Sequence, residues 1–407
     1  MRQRLSLLLS VCGLAAVCVS ASVTFAQQAQ QQQKLKGYYA VRPLNASPEA
    51  VSKALSPSAV SLSLFNYSVV SSRDSNSYSG VIVGTDPSTN VGTKVATKVI
   101  PLIFKFPDGT ILDPTKPDAC AGSGTYSDLQ LAVNSPIVQS TDFNFGGTDV
   151  GKTQYIDAFQ RAEFWQGSPN GGSGISANTS NHTRLNVSIL QPIVVNVPTG
   201  GGKAWTGFGC GVFGVINIVW FDPALVGLTG TDYVQDRILA RLSAKGVIGP
   251  NELPILLMPS TVFAVQSTSP IQNCCILGYH GAYLDVNGNI QTYSPVDFDS
   301  TGAFGPAVAD TTVMSHEVAE WANDPYGSNP TPLWGHIGQV GGCQGNFEVG
   351  DPLTGTNLPA ITMANGFSYH LQELAFFSWY YGAPSLAANG WFSDNNTFTT
   401  DAGAVCQ

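Results

Sequence analysis

The stretch VMSHEVAEWANDP, residues 313–325, decides how this chain is interpreted. A helix is predicted over about residues 308–323, because the closing proline cannot continue it. Residues four apart share one face of a helix, so His316 and Glu320 present an imidazole and a carboxylate side by side. Glu317 projects next to them. The spacing therefore predicts two ligands of one metal ion, with a second carboxylate within reach.

This arrangement suits a catalytic metal ion. Catalytic zinc has three protein ligands and one water, and the metal lowers the pKa of that water. Glu317 is predicted to act as general base and then as proton donor. The familiar zinc-protease pattern is His-Glu-x-x-His, and here Glu320 replaces the second histidine. The alternative is a helix with exposed acids, or a core histidine satisfied by its neighbours.

A third ligand has to come from another segment. Glu348 and Asp351 lie in the sequence FEVGDP, beyond a loop long enough to fold back over the helix. We favour Glu348, with Asp351 either as a ligand or as a partner that orients His316. Asp324, two turns beyond His316, is the local alternative. With His316, Glu320 and Glu348 as ligands, zinc is the predicted ion, and manganese and calcium are the alternatives.

The chain is poor in the residue types that such a site needs. It has 407 residues, of which 11% are charged, with seven glutamates and five histidines. Glu317, Glu320 and Glu348 are three of those glutamates, and four histidines lie in the same region: His280, His316, His336 and His370. For His280 and His336, a place in a turn is a simpler interpretation than a role in stabilising an oxyanion.

The first residues of the chain predict export. Two arginines precede the apolar residues 5–19, and small residues lead to a cleavage site, so residues 1–26 are interpreted as a signal peptide. An uncleaved anchor is the lesser alternative, because the apolar run is short for a bilayer. Residues 27–36 are read as a Gln-rich linker. The mature protein is therefore expected to be secreted or periplasmic, with no membrane partner after cleavage.

Charge and turn motifs limit the ligand classes. The formal net charge of -9 argues against nucleic acid as a partner. Residues 146–153, GGTDVGKT, match the phosphate-loop pattern, but no buried parallel strand precedes them, so we expect a glycine turn before a helix and no nucleotide. Residues 285–289, DVNGN, lack the spacing of a calcium loop and predict a hairpin turn. A polypeptide or a cell-wall polymer is the expected substrate.

Six cysteines follow the predicted signal peptide: Cys120, Cys210, Cys274, Cys275, Cys343 and Cys406. In an exported chain, six cysteines permit three disulfides. The adjacent Cys274 and Cys275 point to opposite faces if their segment is a strand. We therefore expect them to have different partners, with Cys343 as a plausible one.

The remaining sequence predicts an α+β fold. The 43 glycines and 25 prolines favour many short strands joined by turns. Residues 37–200 form a β-rich region with one helix at 155–165, and residues 201–407 hold the metal site. The elements predicted for this second half are a helix at 232–245, strands at 254–258, 275–284 and 290–293, the motif helix, a Gly-rich loop and a final helix at 369–381.

These motifs resemble those of the exordium-like (phosphate-induced) proteins of plants and of secreted bacterial proteins with a His-Glu-Leu-Ala-Glu, Asp-Pro and Glu-Ile-x-Asp series. The matching segments are GYH at 278–280, SHEVAE at 315–320, NDP at 323–325 and EVGD at 348–351. The resemblance covers about residues 250–380. It implies a zincin-like domain in an extracellular protein.

The order of elements is also similar to that of zinc proteases of the thermolysin type. In those proteins, a strand edge that holds the substrate precedes the motif helix, and residues 275–284 occupy that place here. At 369–373 the group would have a strand of the type Tyr-x-Val-Gln-x-x-Trp, whereas this chain has YHLQE and then an aromatic stretch.

The sequence thus predicts an exported metal-dependent hydrolase, with a zinc peptidase as the favoured class. His316, Glu320 and Glu348 hold the ion, and Glu317 activates water. The alternative is a catalytically silent zincin-like domain that binds a cell-wall or extracellular polymer through aromatic side chains: Trp379, Tyr380, Tyr381 and Trp391. A binding protein would not need Glu317 as a base, so this residue distinguishes the two hypotheses.

Overall fold

The computed structural model describes residues 35–56, 59–122, 124–166, 181–265 and 274–407. The predicted signal peptide and most of the Gln-rich linker lie outside the described residues. Residues 35–407 form one compact unit. Its described part is α+β and rich in strands, as the sequence predicts.

The strands are short except in the central sheet. They are β1 (Tyr38–Arg42), β2 (Leu64–Val70), β3 (Ser77–Val83), β4 (Thr93–Lys105), β5 (Ile111–Leu112), β6 (Thr141–Phe145), β7 (Thr148–Thr153), β8 (Thr183–Ile189), β9 (Ile193–Asn196), β10 (Gly202–Thr206), β11 (Val212–Asn217), β12 (Glu252–Pro259), β13 (Thr261–Ala264), β14 (Cys274–Leu284), β15 (Ile290–Phe298), β16 (Pro330–Ile337), β17 (Val340–Asn346), β18 (Ile361–Thr362) and β19 (Ser368–Tyr369).

The helices are α1 (Pro48–Ala54), α2 (Asp128–Asn134), α3 (Tyr155–Glu163), α4 (Ile218–Phe221), α5 (Ala240–Ala244), α6 (Thr312–Asn323) and α7 (Phe377–Tyr381). A π-helical segment, Val234–Leu239, leads into α5. Short 3-10 turns lie at Pro87–Thr89, Pro223–Val226, Asp351–Leu353 and Ala388–Gly390.

One mixed sheet joins both halves of the chain. Its order is β10-β11-β13-β14-β15-β12-β4-β5, with β1 also paired to β14 and with β8 and β9 paired to β4. The predicted division near residue 200 falls between β9 and β10, and both strands belong to this sheet. The N-terminal β-rich region and the metal-site region therefore share one sheet.

Apolar side chains cover both faces of this sheet. Along β12, Leu253, Ile255 and Leu257 pack in one core cluster. The alternate residues Leu256 and Met258 pack in the other. Successive side chains of a strand point to opposite faces, which explains why this strand is apolar almost throughout instead of alternating with polar residues.

Helix α6 lies over β14 and β15 and carries the predicted site residues. Every residue from Thr312 to Asn323 is buried, so α6 has no solvent face. Trp321 donates from Nε1 to the hydroxyl of Thr292 on β15 at 3.0 Å. The helix begins four residues later than predicted, and it ends before Pro325 as expected.

The predicted helix at 369–381 is wrong over its first two turns. Only α7 is helical, and the residues before it run extended after β19. Their backbone N–H groups bond to distant partners: Gln372 donates to the Ser315 hydroxyl at 2.9 Å, and Ala375 donates to the Val349 carbonyl at 2.8 Å. These tertiary hydrogen bonds replace helical ones, so the apolar spacing of this segment predicts a helix that does not form.

The disulfides are Cys120–Cys210, Cys274–Cys275 and Cys343–Cys406. The expectation that Cys274 and Cys275 have different partners is therefore wrong, because the two adjacent residues bond to each other. The other two bonds are compatible with an extracellular protein. No helix among the described residues has both the length and the apolar character to cross a membrane.

One turn prediction is confirmed and a second is confirmed in part. Residues 285–289 join β14 to β15 as an antiparallel hairpin. At residues 146–153 the predicted glycine turn is present, but it leads from β6 into strand β7 and not directly into a helix, since α3 begins at Tyr155. Lys152 thus lies in a strand and not at a helix N-terminus, unlike the lysine of a phosphate loop.

Candidate metal centre

His316 and Glu320 lie one turn apart on α6, and both side chains point to one buried site. The distance from His316 Nε2 to Glu320 Oε2 is 3.0 Å. Neither ring nitrogen of His316 has a hydrogen-bond partner, so the approach of the two groups lacks hydrogen-bond geometry. The helical spacing therefore places this pair as the sequence predicts.

Strand β14 adds His280, which the sequence interpretation assigned to a turn. Its Nδ1 lies 3.4 Å from Glu317 Oε2 and 3.8 Å from Glu320 Oε2. Its Nε2 lies 3.1 Å from the Asp324 carbonyl oxygen. A carbonyl only accepts, so Nε2 carries the hydrogen and Nδ1 presents its lone pair to the carboxylates. The turn interpretation of His280 is wrong.

Strand geometry explains why His280 reaches the helix. Residues two apart share one face of a strand, so Gly278 and His280 both face α6, whereas Tyr279 packs in the core on the other face. A Cβ on Gly278 would lie 2.7 Å from a Val313 methyl and 3.1 Å from Glu317 Cγ. The glycine therefore permits the close approach of α6. The sequence segment GYH, residues 278–280, contains both this glycine and His280.

The segment 348–351 folds back over α6 as predicted. Glu320 Oε1 accepts from the backbone N–H groups of Gly350 at 3.0 Å and Asp351 at 3.2 Å. These bonds fix one oxygen of Glu320 and leave Oε2 toward the histidines. A Cβ on Gly350 would lie 2.3 Å from His316 Nδ1. Only glycine fits where the loop crosses the imidazole.

Glu348 and Asp351 have different surroundings. Glu348 Oε2 has no hydrogen-bond partner and lies 3.8 Å from His280 Nε2. Asp351 lies 3.6 Å from His316 Nε2. Both of its oxygens accept from glutamine side chains, Gln339 at 2.7 Å and Gln344 at 3.0 Å. Asp351 thus approaches the same His316 nitrogen as Glu320 does, without a hydrogen bond to the ring, while the two glutamines hold its carboxylate.

Asp324 is occupied elsewhere. Its carboxylate accepts from the backbone N–H groups of Ser328 and Asn329 at 2.9–3.0 Å. It therefore caps the turn after α6. The local alternative for a third ligand is not supported by these contacts.

The candidate ligand atoms fall into two overlapping groups. One comprises His316, Glu317 and Glu320, and the other comprises His280, Glu320 and Glu348; within each, the atoms lie within 4.8 Å of one another. The predicted set of His316, Glu320 and Glu348 is thus divided between the groups, and Glu320 is common to both.

Other histidines lie outside this site. His336 is near Cys343 and Cys406, but those sulfurs form a disulfide and do not offer a thiolate. His370 bonds to Asp310, with its Nδ1 2.6 Å from the carboxylate.

Burial shapes the electrostatics of the site. His280, His316, Glu317, Glu320 and Glu348 are each at most 1% exposed. Burial, followed by repulsion from neighbouring carboxylates, raises the pKa of the three glutamates well above its usual range. Burial also lowers the pKa of His316 to about 4 and that of His280 to about 3. The imidazoles are therefore neutral, the form that binds metals.

No protein cation balances these acids. Among the described residues, the only basic groups paired with Glu317, Glu320, Glu348 or Asp351 are the two histidines. Buried polar groups normally have partners, yet His316 Nε2, Glu317 Oε1 and Glu348 Oε2 have none. Unpartnered donor atoms of this chemistry fit a bound divalent cation.

The loop is held by residues of the C-terminal segment. Gln372 donates from Nε2 to the Gly350 carbonyl at 2.7 Å. The hydroxyl of Tyr380 donates to the Glu348 carbonyl. The extended segment and α7, which together replace the predicted helix, therefore hold the loop that carries Glu348.

Two further expectations from the sequence differ from the structure: the open strand edge at β14 and the aromatic surface for polymer binding. Strand β14 is paired with β1 on one side and with β13 and then β15 on the other, so it is not a sheet edge open to a substrate strand. Three of the aromatic residues proposed for polymer binding are buried: Trp379, Tyr380 and Tyr381. They pack in the core.

Comparisons with protein-family models, with curated proteins and with solved structures find no match to this chain.

Proposed function

We propose that this protein is an exported metal-dependent hydrolase with a zincin-like site, and that a peptide is its substrate. The observation that carries the proposal is the convergence of buried, unpartnered atoms of His316, Glu317 and Glu348 around Glu320. Zinc is the favoured ion, because it accepts both imidazole and carboxylate ligands. Manganese and calcium are the alternatives, since carboxylate-rich sites suit harder ions.

The distances suit zinc ligands. Two ligands each about 2.1 Å from one tetrahedral ion are about 3.4 Å apart. The separations of 3.0 Å for His316–Glu320 and 3.8 Å for His280–Glu320 lie on either side of that value. Small side-chain movements would bring these atoms to a common ion.

Each residue has a separate task in this proposal. Glu320 and His316 hold the ion, together with Glu348 or His280, while the N–H groups of Gly350 and Asp351 orient Glu320. When bound, a divalent ion supplies Lewis acidity and lowers the pKa of water.

Glu317 is the candidate base. Its Oε1 has no partner, and its Oε2 lies 3.4 Å from the lone pair of His280 Nδ1. Burial, followed by repulsion from neighbouring carboxylates, raises its pKa, which favours the protonated carboxyl group. A nearby cation would favour the carboxylate, which can then take a proton from water.

Activity on unfolded protein or peptide libraries tests this proposal. We expect zinc-dependent cleavage by the mature protein that Glu317→Gln lowers by roughly 100-fold or more. The matched control is Glu163→Gln: Glu163 is also buried and has a raised pKa, but it bonds to Phe377 N and lies outside both ligand groups. Full cleavage by the Glu317 variant would exclude Glu317 as the base, and the absence of zinc-dependent cleavage by the wild-type protein would contradict the enzyme hypothesis.

The burial of the site favours a second candidate, a catalytically silent metal-binding domain that attaches to cell-wall or extracellular polymer. With Glu317 and Glu320 at 0% and 1% exposure, the ion would serve a structural role. In that case the protein binds polymer in sedimentation assays, and Glu317→Gln leaves the binding unchanged.

A further inference from the structure

We infer that the site holds two divalent ions that share Glu320, with His316 and Glu317 on one side and His280 and Glu348 on the other. The inference rests on the proposed metal site and extends it. It assigns His280 as a metal ligand and gives Glu317 a ligand role as well.

The first argument is the division of the donor atoms. Each group of three contains one histidine and two glutamates, and only Glu320 belongs to both. His316 Nε2 and His280 Nδ1 both approach the same oxygen, Glu320 Oε2, at 3.0 and 3.8 Å. One carboxylate oxygen approached by two imidazoles suits a bridging ligand, and ions in two-metal sites are about 3.5–4 Å apart.

The second argument is charge. Four carboxylates lie in the site, and each is at least nine-tenths buried: Glu317, Glu320, Glu348 and Asp351. No described Lys or Arg forms an ion pair with these acids; their only basic neighbours are His280 and His316. Buried acidic groups without a cationic partner are costly to ionise. Two divalent ions would supply positive charge to both groups of ligand atoms.

The third argument is the set of unpartnered atoms, which belong to both groups. His316 Nε2 and Glu317 Oε1 lack partners in one group, and Glu348 Oε2 lacks one in the other. Among the described residues, no group of ligand atoms within 4.8 Å of one another contains both His316 and Glu348. A single ion in the first group would therefore leave Glu348 Oε2 unpaired, and a single ion in the second would leave His316 Nε2 unpaired. Two ions would give each of these three unpartnered atoms a partner.

Metal stoichiometry separates this inference from the proposed function. The full-length mature protein is stripped with chelator, loaded with Zn²⁺, dialysed and subjected to elemental analysis. We expect about two zinc equivalents per chain, and about one in His280→Gln, His316→Gln or Glu317→Gln. Glu320→Gln should lose both ions, and Glu163→Gln should keep both.

The other outcomes are equally distinct. About one equivalent in the wild-type protein overturns the two-ion inference and leaves the proposed function standing, whereas no bound zinc overturns both. Zinc that is retained in Glu320→Gln overturns the sharing of this residue.

A spectroscopic measurement needs no variant and so does not depend on their folding. Two Mn²⁺ ions that share one carboxylate are magnetically coupled, and we expect the electron paramagnetic resonance spectrum of the Mn²⁺-loaded protein to lose the resolved hyperfine lines of isolated ions. Resolved lines at full Mn²⁺ loading would overturn the inference.

Discussion

The ring of Tyr39 stacks on the ring of His316, with centroids 3.5 Å apart and planes 12° apart. Tyr39 belongs to β1, near the start of the described chain, whereas His316 lies on α6. The N–H of Tyr39 and its carbonyl both bond to Gln339, which also bonds to Asp351. The first strand is therefore part of the candidate metal centre.

This stack predicts a large difference between two substitutions at Tyr39. Tyr39→Ala removes a buried ring and should lower the free energy of unfolding by about 3–5 kcal/mol. Tyr39→Phe keeps the ring and removes a hydroxyl that has no partner, so its cost should be small. Urea unfolding of both variants in chelator measures this difference. Equal losses would contradict the role of the stack.

Gly350 provides a test of the crossing between the ligand loop and α6. Gly350→Ala would place a Cβ 2.3 Å from His316 Nδ1, so it should cost about 1–3 kcal/mol. It should also weaken metal binding. The matched control is Gly341→Ala, because a Cβ there meets nothing within 4 Å. Calorimetric titration and urea unfolding measure both effects, and equal behaviour of the two variants would contradict this packing.

The Cys343–Cys406 bond should stabilise the fold through the unfolded state. It joins residues 63 apart in sequence, and cross-links of this length contribute roughly 2–5 kcal/mol. Replacing both cysteines with serine should lower the unfolding free energy by that amount. Peptide mapping without reduction checks the pairing itself, and a Cys274–Cys343 peptide would contradict it.

His370 should make stability depend on pH. Its hydrogen bond to Asp310 raises the pKa of the folded imidazole above the ordinary value near 6.5. The imidazolium is thus favoured by folding. Its stabilisation is fully present below the unfolded pKa and is lost as the pH rises through the folded pKa.

The corresponding measurement compares His370→Gln with the wild-type protein from about pH 5 to pH 8. The difference in unfolding free energy should be largest in acid and should shrink toward pH 8. A difference that grows with pH would contradict the raised pKa.

Local patterns predicted the elements whose contacts are local. The hairpin at 285–289, helix α3 and the end of α6 follow from turn residues, apolar spacing and a proline. The pairing of His316 with Glu320 follows from helix geometry alone. These features need no knowledge of the rest of the fold.

Long-range contacts account for what the sequence did not reveal. His280 enters the site because β14 lies under α6 and Gly278 lets the helix approach. The segment after β19 is extended because its N–H groups bond to Ser315 and Val349. The sheet crosses residue 200 because β4 pairs with β12. None of these partners is close in sequence.

A crystal structure of the zinc-loaded protein, with anomalous diffraction recorded above and below the zinc edge, tests the metal centre most directly. We predict anomalous density within about 2.2 Å of Glu320 Oε2, between His316 and His280. Density elsewhere only, with Glu320 contacting protein groups and water alone, would contradict the proposed metal centre.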